Sequence, residues 1–144
     1  MRISDVLRSK GSDVVTISGS AQVADLVALL KEKGIGAVVV VDDAAPDVIA
    51  GIVSERDVVR RLADGTEGLL TGTVGELMTA QVHTCSGADE LHDVALKMTE
   101  RRIRHLPVVQ DGRLVSIVSI GDVVKARLGE LQSERDALEG YINS

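Results

Sequence analysis

Two short runs hold the chemistry of this chain: Ser54-Glu-Arg-Asp57 and Ser119-Ile-Gly-Asp122, one Ser-x-x-Asp spacing written twice. A Ser followed three residues later by an acid, ahead of an apolar stretch, is the sequence form of a helix capping box, in which hydroxyl and carboxylate satisfy backbone amides at the helix start. The same start leaves other amides unpaired and presents the positive end of the helix dipole. A phosphate binds there readily. An Asp in that first turn also accepts hydrogen bonds from a ribose diol, charge-assisted bonds that contribute about 1.5 to 3 kcal/mol each. Capping and ligand binding can share one helix end, and on spacing alone capping is the plainer role.

Other reactive residues form weaker constellations. Cys85 is the only cysteine, and His83 two residues before it shares its face on a strand. With His92 or His105 they are candidate zinc ligands, but a structural site needs four ligands and no second close pair exists, so no metal site is expected. No second residue is tied to Cys85 as a base, which argues against a nucleophile. Arg60-Arg61 and Arg101-Arg102 read as solvated helix faces. Gly34-Ile-Gly36 is too short for a dinucleotide fingerprint.

The elements that must position the two pairs are themselves duplicated. Thr16 and Thr84, Leu26 and Val94, and Ile35 and Ile103 are each 68 residues apart, whereas Ser54 and Ser119, and Asp57 and Asp122, are 65 apart. A three-residue difference in one hairpin turn, Asp42 to Asp47 against Asp111-Gly112, accounts for the change. Val23, Leu26, Val27 and Leu30, and their counterparts Leu91, Val94, Ala95 and Met98, follow the one-face pattern of an amphipathic helix. Gly34 ends the first helix, and Ser86 with Asp89 reads as the start signal of the second. Short β-branched runs follow, Ile35–Val41 and Val48–Val53, then Ile103–Val109 and Leu114–Val118, each bounded by turn residues and read as strands. A second helix opens at each Ser-x-x-Asp. The spacing therefore predicts an α/β chain of two β-α-β-β-α repeats about a pseudo-two-fold axis, with equivalent clefts. The expected plan is repeat one with its lead-in over 1–64, a linker over 65–73, repeat two over 74–128 and a helical tail over 129–144. With Leu128 just before it, that tail carries Leu131, Leu138 and Ile142 at roughly heptad spacing, interrupted by Arg135, and is expected to pack on something.

Composition narrows the partners. A chain of 144 residues can bury a core without staples, and a lone cysteine excludes an intrachain disulfide. No charged leader precedes an apolar stretch and no run approaches a membrane span, so a cytoplasmic, soluble protein is expected. A net charge of −6 and a single aromatic residue, Tyr141, argue against nucleic-acid binding.

Gly51-Ile-Val-Ser54-Glu-Arg-Asp57 resembles the closing signature of a cystathionine-β-synthase-type (CBS) repeat, and Ile103-Arg-His-Leu-Pro107-Val-Val109 resembles its strand motif, with Thr16 and Thr84 where its apolar-Thr strand lies. The resemblance covers nearly all of residues 3 to 128 and implies a tandem pair, or Bateman module. It implies a non-catalytic sensor that needs no cofactor, binds AMP, ADP, ATP or related adenosyl ligands in two clefts, and pairs into a homodimer. By that resemblance Asp122 and Ser119 work with Thr16, helped by Arg104 and His105 toward phosphate, and Asp57 and Ser54 work with Thr84, helped by Arg56. Adenine walls would be Val15, Ile35 and Val53, or Val82, Ile103 and Val118. The first repeat has Gly36 and Ala37 where the second has Arg104 and His105, so the Asp122 cleft is the expected phosphate site. Two departures stand out: Val39 replaces the motif proline, and Ser116 replaces its glycine. The alternative from the same residues is an assembly protein with vestigial clefts whose tail docks an unknown protein partner.

Overall fold

Each Ser-x-x-Asp pair sits where a strand runs directly into a helix: β3 (Ala45–Ser54) into α3 (Glu55–Ala63), and β6 (Arg113–Ser119) into α6 (Ile120–Ile142). In this computed structural model, which describes residues 1–11 and 13–144, the chain forms two compact units. One holds Val14–His83 with Asp111–Leu114; the other holds Met1–Asp13, Thr84–Gln110 and Val115–Ser144. Among the described residues no helix is long and apolar enough to cross a membrane.

In the first unit β1 (Thr16–Ser18) pairs parallel with β2 (Ala37–Asp42), and β2 pairs antiparallel with β3, so β2 is the central strand of the order β1-β2-β3. Its residues Ala37 to Val41 are all buried, which is why this stretch reads as an unbroken apolar run rather than an alternating one. Helix α2 (Val23–Lys33) buries Val23, Leu26 and Leu30, while Val27, expected on the same face, is exposed. Gly34 ends the helix in the left-handed conformation, with φ +62°, as its position predicts.

The hairpins correct one expectation. Both turns contain two residues, Asp43-Ala44 and Asp111-Gly112, so the three extra residues of the first repeat are not in its turn. They lengthen the strand instead: β3 has 10 residues and β6 has 7, and the β2–β3 register shifts at Val40/Val41 and Val41/Asp42. Pro46 is tolerated because β3 is an edge strand and Pro46 lies near its start.

In the second repeat β4 (Cys85–Ser86), β5 (His105–Gln110) and β6 form the matching sheet. Helix α5 (Leu91–Arg101) lays Leu91, Val94 and Met98 on a core with Leu106, Val108 and Val118. Arg102 occupies the left-handed position that Gly34 holds in the first repeat, with φ +55°. Ser86 and Asp89 do not start the helix: the Asp89 carboxylate accepts from the Ser86 amide at 2.8 Å and Glu90 is the residue at the helix boundary. The pair closes the turn that precedes α5.

Two lead-in helices change partners between sequence and packing. Helix α1 (Ile3–Lys10), ahead of the first repeat, docks on the second: the amides of Ile3 and Ser4 donate to the carbonyls of Asp89 and Gly87, and the Leu91 amide donates to Met1. Helix α4 (Val74–Leu77), ahead of the second repeat, docks on the first through Val74 to Ala21 and Gly75 to Gly19. A β-carbon at Gly75 would lie 3.1 Å from the Gly19 carbonyl oxygen, so the close approach needs glycine there. The linker also takes part, since the carbonyls of Leu70 and Gly72 accept from the first amides of α2.

Helix α6 is continuous over 23 residues, so the tail is its extension rather than a separate helix. It needs no nucleation of its own. The expected packing partner for its apolar side chains is not within the chain: Leu128, Leu131, Leu138 and Ile142 are all exposed.

Candidate functional site

At both strand-to-helix corners the aspartate caps its own backbone with one oxygen. Asp57 Oδ2 accepts from the Ser54 amide at 2.8 Å and from the Ser54 hydroxyl at 3.1 Å. Asp122 Oδ2 accepts from the Ser119 amide at 2.8 Å, while the Ser119 hydroxyl accepts from the Asp122 amide at 3.1 Å. Among the described residues no hydrogen bond reaches Oδ1 of either carboxylate. Capping thus leaves half of each carboxylate with lone pairs for hydroxyl donors.

The helix mouths are partly closed from the loop before the second strand. The first amide of α3, Glu55, donates to the Gly36 carbonyl at 3.0 Å, and the first amide of α6, Ile120, donates to Arg104 at 2.8 Å. The second amides, of Arg56 and Gly121, have no acceptor within the helix. Gly121 has no side chain, whereas Arg56 carries an exposed cationic one. The Ile120 bond also fixes Arg104 beside the Asp122 corner, with His105 next to it at the start of β5.

Lys10, which sequence reasoning did not single out, changes the Asp122 corner. Its ammonium lies 2.6 Å from Asp122 Oδ2 and also donates to the Ile117 carbonyl. Burial pushes the Asp122 carboxyl up, but the Lys10 ammonium and the Ser119 amide and hydroxyl outweigh it and hold the group below its ordinary range. A cavity of about 290 Å³ opens there between α1 and α6, with Asp5, Ser9 and Lys10 on one side and Asp122, Lys125 and Gly129 on the other. No local pattern links Lys10 to an acid 112 positions away; only docking of α1 on the second repeat does so.

The remaining expected residues divide between the units. Thr16 is half-buried in β1 opposite Val39, in the unit of Asp57, and Thr84, whose carbonyl accepts from Lys97 at 2.8 Å, is in the unit of Asp122. Within either unit, then, neither Thr joins the aspartate expected to work with it. Val53 and Val118, expected as pocket walls, are fully buried in their cores. Val15, Ile35, Val82 and Ile103 retain exposed surface. Ser116 is 1% exposed and its hydroxyl has no partner among the described residues; the strand alternation puts it on the inward face with Leu114 and Val118. The Cys85 thiol is pushed up to about 12, first by burial and then by Asp89, so it stays protonated at neutral pH. Among the described residues no three His, Cys, Asp or Glu side chains gather as metal ligands.

A chain with this duplicated unit and these corners belongs to the CBS domain family, which matches residues 3–64 and 74–129. A mitochondrial CBS domain-containing protein of Arabidopsis thaliana is 34% identical over 97% of this chain and 71% of its own length. The crystal structure of a CBS-domain-containing protein from Agrobacterium tumefaciens is similar at 39% identity and a TM-score of 0.83, covering 88% of this chain and 99% of that one. A CBS domain protein from Pyrobaculum aerophilum complexed with AMP is similar at 29% identity and a TM-score of 0.79, covering 92% of this chain and 99% of that one.

Proposed function

We propose that this chain is a non-catalytic regulatory module that binds an adenine nucleotide, AMP, ADP or ATP, at its Ser-x-x-Asp corners. The observation that carries the reading is the unused Oδ1 on Asp57 and on Asp122, held in place by caps that engage only Oδ2. A ribose diol donates to such a carboxylate, and the open amide of the first helical turn faces the same corner. The complex of the Pyrobaculum relative with AMP supports the ligand class. Ligand binding changes the balance between two conformational states by its differential affinity for them, and that change is the regulatory output. At the Asp122 corner the ligand takes the carboxylate in competition with Lys10, whose freed ammonium pairs with phosphate.

Thermal unfolding with AMP, ADP, ATP, NADH and S-adenosylmethionine tests this. A bound ligand at a hundred times its dissociation constant adds about 2.7 kcal/mol to stability. At least one adenine nucleotide is expected to raise the melting temperature. No shift with any of the five contradicts the reading and leaves the assembly alternative, which the exposed apolar stripe of α6 favours.

A further inference from the structure

We propose that Lys10 makes the Asp122 corner select adenosyl ligands that carry a phosphate over the uncharged nucleoside, an inference that rests on the reading of that corner as a ribose site. Each carboxylate oxygen has two lone pairs. Both pairs of Asp122 Oδ2 are taken, by the Ser119 amide at 2.8 Å and the Lys10 ammonium at 2.6 Å. A ribose diol that donates one hydroxyl to each oxygen finds Oδ1 open but reaches Oδ2 only by displacing Lys10. At Asp57 the second donor to Oδ2 is the Ser54 hydroxyl, 3.1 Å away, which turns aside without uncovering a charge.

Displacing Lys10 is unfavourable unless the ligand brings an anion. The two side chains are mostly shielded, at 29% and 27% exposed, and the freed ammonium keeps only the neutral Ile117 carbonyl. A partly buried cation stripped of its partner loses more than a surface ion pair would. The other acid of the cavity does not replace Asp122, because Asp5 already accepts from the Arg2 amide at 2.9 Å and pairs with Arg8 at 3.4 Å. Lys125, three residues on from Asp122 and lining the same cavity, has no ion pair among the described residues. A phosphate gives both ammonium groups a charged acceptor, and an unphosphorylated nucleoside gives neither one.

The arrangement belongs to the second repeat alone. In the first, the carbonyl of Ile52, counterpart of Ile117 at the same spacing of 65 residues, is held by backbone: the Thr79 amide donates to it at 2.9 Å, and the Ile52 amide donates to Thr79 at 3.0 Å. A neutral peptide therefore stands where the second repeat has the Lys10 ammonium. The Ile117 carbonyl also keeps that ammonium beside the corner once it has left the carboxylate.

Isothermal titration of AMP and of adenosine into the full chain carrying Asp57→Asn, so that the Asp122 corner alone reads out, tests this. Lys10→Met and Lys10→Gln are added in turn, and circular dichroism verifies the fold of each. With Lys10 present, AMP is expected to bind about tenfold or more tightly than adenosine, the effect of one charge-assisted bond. Either substitution should strengthen adenosine binding and shrink the preference about tenfold. A gain in affinity on losing a side chain is not what damage to the fold produces. Adenosine affinity that stays level or falls in the Lys10 variants overturns the inference and leaves the ribose site standing, as does a preference for AMP that persists without Lys10. Binding of neither ligand by the wild-type chain overturns the ribose site and the selectivity together.

Discussion

Asp57 and Asp122 each cap a backbone through Oδ2, and the two corners differ in the cations around them. Arg104 stands beside the Asp122 corner and Lys10 on its carboxylate, whereas Gly36 occupies the place of Arg104 at the other. Asp122→Ala should therefore weaken nucleotide binding more than Asp57→Ala, by about tenfold to a hundredfold for the lost charge-assisted bonds. Calorimetric titration of both variants measures this, and equal losses would remove the asymmetry. The Lys10–Asp122 pair also has a pH signature. Because the folded carboxyl is held low, the stabilisation it carries is complete above the ordinary carboxylate range and disappears as pH falls through the lowered value. The melting-temperature advantage of wild type over Lys10→Met should be constant near neutrality, begin to shrink only as pH falls through the ordinary carboxylate range, and vanish below the lowered folded value. An undiminished gap in acid would contradict it. The Ser-Asp pairs were legible in the sequence because capping is local, within three residues. Lys10 was not, because its role depends on where a distant helix docks.

Elements explain why the second repeat is the more strained copy. Arg102 holds a left-handed conformation that costs a residue with a β-carbon roughly 1 to 2 kcal/mol, part of which glycine avoids. Arg102→Gly is expected to stabilise the protein by about 0.5 to 1 kcal/mol in urea unfolding; a loss of stability would show that its side chain contributes more than its backbone costs. Ser116→Ala removes a buried hydroxyl without a partner and should add about 1 kcal/mol, read as a rise in melting temperature. The strands and helices were legible because apolar periodicity and turn residues mark them directly. Asp111-Gly112, with φ of +52° and +75°, forms the tight turn that its sequence predicts. The three extra residues were misplaced because Asp42 to Asp47 is rich in turn formers. The ladder with β2 holds Ala45 to Asp47 extended nonetheless, absorbing the insertion through register shifts that no local preference encodes.

At the scale of the whole molecule, sequence boundaries and packing boundaries differ: each lead-in helix belongs to the unit of the other repeat. The fold class followed from the duplication itself, but this exchange did not, because short segments such as Ile3–Leu7 and Val74–Met78 fit either repeat equally well by pattern. The exchange has a structural consequence, since α1 delivers Lys10 to Asp122 only by crossing to the second repeat. The central claim is that both corners receive the ribose of an adenine nucleotide. Its most direct measurement is isothermal titration of AMP, ADP and ATP into the wild-type chain and into the double variant Asp57→Asn, Asp122→Asn. Saturable binding by the wild type that disappears in a double variant with unchanged circular dichroism is the predicted result. Equal binding by both proteins, or none by the wild type, would contradict it.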